Sequence, residues 1–269
     1  MRDPRHFQIA VVAALLLYGV SAIDFGISAG RILILLSTTA LTQWVATRLT
    51  GAAFDPRSPV ISGLSLGLLA RSNSILLLVL AAIVAIASKF LIRSRRKAGG
   101  AGKHIFNPTN FALVFMVLLS GGKLWVSPDQ WGNGATLSLF LGCAGMAVVH
   151  RAARSDVTWA FLGAYAAILV GRALWLGDPL SIALHGLNRE ALLIFAFFMI
   201  SDPKTTPDSR AGRILYATLI AVGTAVVHFV LFRSNGLLWS LAVLAPSLPL
   251  IDRHFGPIAI NGIALTHRP

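Results

Sequence analysis

The sequence predicts an all-α integral membrane protein of about ten transmembrane segments, arranged as two inverted five-helix halves. Three observations predict it. Of the 269 residues, 56% are hydrophobic and only 12% charged, against about 25% charged in globular domains. Ten apolar runs follow one another with short polar connections. Two of those connections carry proline beside several polar side chains, Asn107-Pro108-Thr109-Asn110 and Ser201-Asp202-Pro203-Lys204-Thr205-Thr206-Pro207.

In order, the runs are 8–25, 32–47, 59–70, 75–92, 108–120, 135–150, 157–173, 189–200, 214–232 and 236–251. A helix crossing the hydrocarbon needs about 20 residues, with a range of about 17 to 25. The third, fifth and eighth runs are near 12 residues. They read as short helices completed by polar flanks, or as half-helices entering a cavity. Met1-Arg2-Asp3-Pro4-Arg5-His6 precedes the first run without a small-residue cleavage site, so that run is expected to stay in the protein.

Charge sets the expected orientation. Threaded from a cytoplasmic N-terminus, 17 Lys and Arg residues fall inside and 6 outside, which is the positive-inside pattern. Both termini are therefore expected in the cytoplasm of a bacterial-type inner membrane. The formal charge of +13 arises from these short loops, and no soluble basic surface large enough for nucleic acid appears. The basic stretch from Arg93 to Lys103 reads as a mobile cytoplasmic loop with a topological role, or one touching anionic lipid. The lone Cys143 excludes an intrachain disulfide and any zinc or iron–sulfur site built from this chain's cysteines alone, and reads as a buried packing residue. No Walker A loop, HExxH, GxSxG or paired-carboxylate motif occurs.

The two halves match in layout. Runs three and eight are short and end in polar stretches, Arg71-Ser72-Asn73-Ser74 and Ser201 to Thr206; runs five and ten open from stretches holding Asn107 and Asn235. An odd number of segments per half places the second half upside down, an arrangement of membrane transporters with sites at the repeat interface. The expected division is residues 1–122, residues 123–255, and a cytoplasmic tail 256–269.

Both proline-bearing breaks fall on the predicted cytoplasmic side. Broken backbone at membrane depth survives only where protein buries it or a cavity meets it, so one shared pocket is expected. Asn107 suits an N-cap and Pro108 the first helical position, while Thr109 and Asn110 add polar side chains to the mouth of the helix. Helix N-termini favour electron-rich oxygen. Asp202, at the edge of the hydrocarbon, calls for a partner, with Lys204, Arg210 or Arg213 nearest. Lys204 also fits the positive-inside rule, and Thr205 and Thr206 supply hydroxyls. The candidate ligand-binding residues are thus Asn107, Pro108, Thr109, Asn110, Ser201, Asp202, Lys204, Thr205 and Thr206.

These segments carry a resemblance. The sequence resembles the NqrB/RnfD family, one membrane subunit of the sodium-translocating NADH:quinone reductase and its counterpart in the Rnf electron-transport complex. It does so at Ser58-Pro59-Val60-Ile61-Ser62-Gly63-Leu64, Phe106-Asn107-Pro108, Phe198-Met199-Ile200-Ser201-Asp202-Pro203 and Ala245-Pro246-Ser247-Leu248-Pro249-Leu250-Ile251-Asp252-Arg253. The resemblance implies a ten-helix subunit that binds flavin and passes electrons within a membrane complex coupled to ion movement. It also implies a riboflavin in the quinone-reductase members. A second flavin, FMN, is there joined through its phosphate to a threonine in a Ser-Gly-Ala-Thr-type motif on the outer side.

This chain departs from that motif. Asn133-Gly134-Ala135-Thr136-Leu137 lacks the hydroxyl residues three before and one after the threonine, and the connection from Gly121 to Gly134 is short. The stretch reads as a helix start with Asn133 as N-cap, and covalent FMN on Thr136 is the alternative reading. The expected cofactor is a noncovalent riboflavin or FMN near the two breaks. The expected partners are the lipid bilayer, other membrane redox subunits and a small-molecule ligand, with no nucleic acid. The alternative function is a transporter of a small polar molecule, such as a flavin or its precursor, on the same scaffold. A subunit that only serves assembly is a third reading.

Overall fold

The computed structural model describes residues 3–22, 26–94, 102–127 and 135–255. It is an all-α multi-pass membrane protein, and each of the ten apolar runs forms helix. The elements are α1 (Pro4–Ala22), α2 (Ala29–Thr50), α3 (Arg57–Leu69), β1 (Ala70–Ser72), α4 (Ile75–Leu91), α5 (Pro108–Leu119), β2 (Leu124–Val126), α6 (Ala135–Arg151), α7 (Ser155–Leu176) and α8 (Leu180–Leu187). There follow α9 (Glu190–Ile194), which runs into a π-helical turn (Phe195–Met199), then α10 (Arg210–Phe229) and α11 (Gly236–Leu244). A 3₁₀ turn (Ala245–Ser247) leads into α12 (Leu248–Phe255).

Four helices are individually long and apolar enough to span a bilayer, namely α1 from Arg5, α2, α7 and α10. A fifth candidate is the pair Leu180–Leu187 and Ala191–Met199, bent by 51° at its break. The first member of that pair, α8, falls in a stretch expected to be an outer loop. Its Leu180, Ile182 and Leu184 are exposed apolar side chains, which suits contact with lipid. Run ten breaks at Ala245-Pro246, because proline removes a helical N–H and crowds the preceding turn.

The short helices α3 (13 residues) and α9, with its π turn, end inside the protein. Their last carbonyls therefore need partners. At α3 the solution is a two-stranded antiparallel ribbon that no sequence pattern announced: Ala70, Arg71 and Ser72 pair with Val126, Trp125 and Leu124. All three β1 residues are buried. The Arg71 guanidinium donates to the carbonyls of Gly67 at 2.9 Å and Ala70 at 2.8 Å, and the Ser127 N–H donates to the Leu69 carbonyl at 2.7 Å. The carbonyls of Gly67, Leu69 and Ala70 at the α3 terminus are thereby satisfied.

At the other break the backbone widens. The Ile200 N–H reaches the Phe195 carbonyl at 3.0 Å, five residues back. Such a π turn leaves one carbonyl outside the regular ladder. Thr158 of α7, fully buried, donates to the Ala196 carbonyl at 2.8 Å, and the Ser201 hydroxyl donates to that of Phe197.

Neighbour relations repeat between the halves. In the first, α1 packs on α3, α2 on α4, and α4 on α5. In the second, α6 packs on α9 and its π turn, α7 on α10, and α10 on α11. These are the pairings one–three, two–four and four–five of each set of five.

Two expectations change. Cys143 is exposed on α6, on a surface facing outward from the bundle, where an apolar thiol costs little in lipid. The basic loop is pinned at its base: Arg93 and His104 form an isolated bridge, the Ser94 N–H donates to the Lys103 carbonyl at 2.8 Å, and Lys103 pairs with Asp208. Its centre, residues 95–101, lies outside the described residues, as does Asn133. Thr136 falls in the first turn of α6, but its side chain also lies outside them.

Candidate functional site

The two proline-bearing breaks meet. A cavity of about 260 Å³ is lined by Asn107, Pro108 and Thr109 from one and by Asp202, Pro203 and Lys204 from the other. Asn107 caps α5, its side-chain oxygen accepting the Asn110 N–H at 3.1 Å. Pro108 takes the first helical position, where its missing N–H costs nothing. The Asn107 amide nitrogen and the Thr109 hydroxyl make no hydrogen bond among the described residues, and both residues are buried at the wall. They present donors to the space.

The other four predicted site residues lie outside the cavity wall. Asn110 donates from its amide nitrogen to the Leu238 carbonyl at 3.2 Å, tying α5 to α11. Ser201 closes the π turn. Thr206 donates to the Asp202 carbonyl at 3.2 Å and accepts from Arg154 at 3.1 Å. Thr205 is buried with a hydroxyl that finds no hydrogen-bond partner among the described residues.

Asp202 does not make the ion pair expected of it. Its carboxylate accepts the Lys204 backbone N–H at 3.0 Å, shaping the turn. Arg213 instead pairs with Asp156 at 2.7 Å. The turn geometry places Asp202 at the wall while the basic residue is drawn off by a better-placed acid.

The rest of the wall escaped sequence reasoning. Ser58, Ser62 and Ser65 of α3 line it; their spacing of four and three puts them on one helix face, a readable signal. Lys89 also lines it, 6% exposed, two residues before the end of α4. Its ammonium donates to Ser58 Oγ at 2.8 Å and Gln43 Oε1 at 3.3 Å. Asp3 and Arg5 also line it. They belong to a quartet in which Arg5 pairs with Asp3 (2.8 Å) and Asp55, and Arg57 with Asp3 (2.6 Å) and Asp55 (2.8 Å).

The quartet is internally neutral. Hydrogen bonding from Arg5 holds the Asp3 carboxyl down to about 2, and that from Arg57 does the same for Asp55. His104, in the loop before α5, also lines the cavity; burial pushes its imidazole down to about 4, so it is neutral at pH 7. The charges left are Asp202, Lys204 and Lys89. The cavity is thus a small polar-walled space bordered by Asp202, Lys204 and Lys89.

A larger cavity of about 640 Å³ lies among α7, α8, α9, α10 and the start of α11, lined in part by Arg172, Arg189, Arg233 and His228. Leu69, Ile194 and Met199 border both cavities. Among the described residues no cluster of His, Cys, Asp and Glu is suited to a metal ion.

A flavin ring edge needs hydrogen-bond donors and tolerates an apolar face. The smaller cavity offers Asn107, Thr109 and Lys89 as donors and Phe198 and Met199 as apolar wall. Its volume is just under the roughly 300–1,000 Å³ of common ligand pockets. The donor set therefore fits the ring system.

Comparison with known proteins agrees with this architecture. Residues 124–261 match the family described as NQR2, RnfD, RnfE. An RnfD-type protein of Alcanivorax borkumensis, described as belonging to an ion-translocating oxidoreductase complex, is 33% identical over 132 residues, covering 48% of this chain and 36% of that protein. A protein of the same description from Methanosarcina acetivorans is 27% identical over 185 residues, covering 62% of this chain and 60% of its own length. The alignments thus take in less than two thirds of either relative. With just over half of its length matched, the chain belongs to the NQR2, RnfD, RnfE family.

Proposed function

We propose that the chain is a membrane subunit of an ion-translocating electron-transfer complex and holds one noncovalent flavin in the smaller cavity. The observation that carries this reading is the convergence of Asn107, Pro108 and Thr109 with Asp202, Pro203 and Lys204 on one space. The names of the related proteins support the assignment to a complex, and with it the need for other membrane redox subunits. When bound, a flavin supplies the capacity to accept and pass on electrons. The chain's own part is positional: Asn107 and Thr109 hydrogen-bond the ring edge, and Phe198 covers an apolar face.

Both termini lie in the cytoplasm in this reading, and residues 1–122 and 123–255 form inverted halves of an inner-membrane protein. The charge distribution and the repeated helix neighbours support it. Thr136 carries no flavin, because its surrounding motif lacks the flanking hydroxyl residues.

The test is the visible spectrum of the detergent-purified chain. Flavin absorbance that is lost from the polypeptide on denaturation is the expected result. A colourless preparation that also takes up no added riboflavin would remove the reading. Flavin fluorescence that stays with the denatured polypeptide in a gel would instead place a covalent flavin on the chain, at Thr136.

A second reading, transport of a small polar solute without redox chemistry, is favoured by one observation. Only the side chains of Leu69, Ile194 and Met199 are common to the walls of the two cavities, a thin apolar partition for a path across the protein. Uptake of riboflavin into proteoliposomes that Asp202→Ala abolishes, with no flavin retained after purification, would select it.

A further inference from the structure

Lys89 is a buried lysine that makes no salt bridge among the described residues. Its two hydrogen-bond acceptors, Ser58 Oγ at 2.8 Å and Gln43 Oε1 at 3.3 Å, are both neutral. An ammonium carries three N–H donors, so one remains unused. Among the described residues no carboxylate stands within ion-pair distance of it, and the nearby acids are committed elsewhere. Asp3 and Asp55 hold Arg5 and Arg57, and the Asp202 carboxylate accepts the Lys204 backbone N–H.

A lysine near a helix end ordinarily extends its stem to bring the ammonium into water. This one is held inward by residues of two other helices, α2 and α3, and remains 6% exposed. Burying an uncompensated charge is costly. The cost is offset when the cavity it borders holds something negative or electron-rich.

We propose that Lys89 is a positioning residue whose charge and unused N–H engage the electron-rich edge of the cavity's ligand, favouring that ligand's negatively charged form. The inference rests on the flavin reading above and deepens it. For a flavin, reduction adds two electrons, and one proton from water, to the neutral oxidised ring and leaves one negative charge on it. The electrons come from the titrant dithionite, which is oxidised to sulfite. A fixed ammonium at the wall binds that anion more tightly than the neutral oxidised ring.

The experiment uses the full-length chain in detergent with riboflavin as probe. It measures the affinity for oxidised riboflavin and the midpoint potential of the bound flavin in dithionite titrations. Lys89→Gln keeps hydrogen-bonding capacity and removes the charge. It is expected to change oxidised-state affinity less than threefold and to weaken reduced-state binding about tenfold relative to it, which lowers the midpoint by about 30 mV for a two-electron couple. Lys89→Arg is expected to restore most of that shift, and Ser58→Ala, which leaves the charge in place, to keep the midpoint within about 10 mV of the starting value on the same scale. An unchanged midpoint in Lys89→Gln, with riboflavin still bound, would reduce Lys89 to a bridge between helices and overturn the inference alone. Should Lys89→Gln fail to fold, Lys89→Met is measured in its place and read by the same criterion. If the unaltered chain binds no riboflavin, both the flavin reading and this inference fall together.

Discussion

Thr158 Oγ1 donates to the Ala196 carbonyl across 2.8 Å, and that single bond joins α7 to the π turn that ends the eighth apolar run. The Ala196 carbonyl is the one the widened turn displaces from its ladder, and both residues are fully buried. A buried carbonyl without a partner costs about 1–3 kcal/mol. Thr158→Val, nearly the same shape, is therefore expected to lower unfolding stability by that amount. Thermal unfolding in detergent measures it, and Thr158→Ser should recover most of the loss. An unchanged transition in Thr158→Val would show that the carbonyl finds another donor.

Arg71 plays a comparable part at the other short helix. Two carbonyls at the end of α3 accept from its guanidinium, and hydrogen bonds to charged groups contribute about 1.5–3 kcal/mol. Arg71→Leu is expected to destabilise the protein by about 2–3 kcal/mol. Arg71→Lys should rescue only partly: both bonds leave one guanidinium nitrogen, Nη1, and the shorter lysine side chain does not place its ammonium at that point. The readout is again the unfolding transition, together with hydrogen exchange at Ser127, whose N–H closes the same terminus.

Both of these bonds were invisible in the sequence, and the reason is physical. Apolar periodicity and charge placement report how a segment meets lipid and water, and they located all ten runs. They say nothing about which distant residue satisfies a broken helix, because that partner is set by packing between halves of the chain. Arg71 read only as part of a polar flank, yet it pairs with Trp125 in a ribbon. The site was legible in outline for the opposite reason. Asn107-Pro108 and Asp202-Pro203 are local backbone signals, and local signals survive folding. Lys89 was counted only as an inside charge, since its burial depends on Gln43 and Ser58, which lie 46 and 31 residues away in sequence.

Close helix contact yields a sharper prediction. A Cβ at Gly145 would stand 2.7 Å from Phe197 Cβ, within the π turn, and one at Gly63 would stand 2.9 Å from both Leu36 Cδ2 and Thr39 Oγ1. Phe197 is 3% exposed and has no free space to enter. Overpacking a tight core costs about 1–3 kcal/mol, so Gly145→Ala and Gly63→Ala should each lower stability in that range. Gly142, one helical turn from Gly145 with nothing within 4 Å of its Cβ position, is the control. Gly142→Ala should be neutral or slightly stabilising, since alanine favours helix by about 1 kcal/mol.

Acid should destabilise the protein in two stages. Burial lowers the His104 imidazole from 6.5 to about 4, with Asp202 opposing the shift and Lys204, Lys89 and Arg93 adding to it. Between those values the unfolded chain binds a proton that the folded chain refuses, so stability falls as pH drops from about 6.5 to 4. Asp3 and Asp55 respond lower down. Their carboxyls move from 3.8 to about 2 on hydrogen bonding to Arg5 and Arg57, so the quartet's contribution is whole above about pH 4 and is lost as pH falls from about 4 to 2. Unfolding temperature measured against pH should separate the two. His104→Gln is expected to flatten the upper stage and leave the lower one. Asp3→Asn with Asp55→Asn should flatten the lower stage, with some loss of stability at neutral pH, because Arg5 and Arg57 then lose their counter-charges. A single stage in the unaltered protein, insensitive to His104→Gln, would mean that the imidazole reaches water in the folded protein.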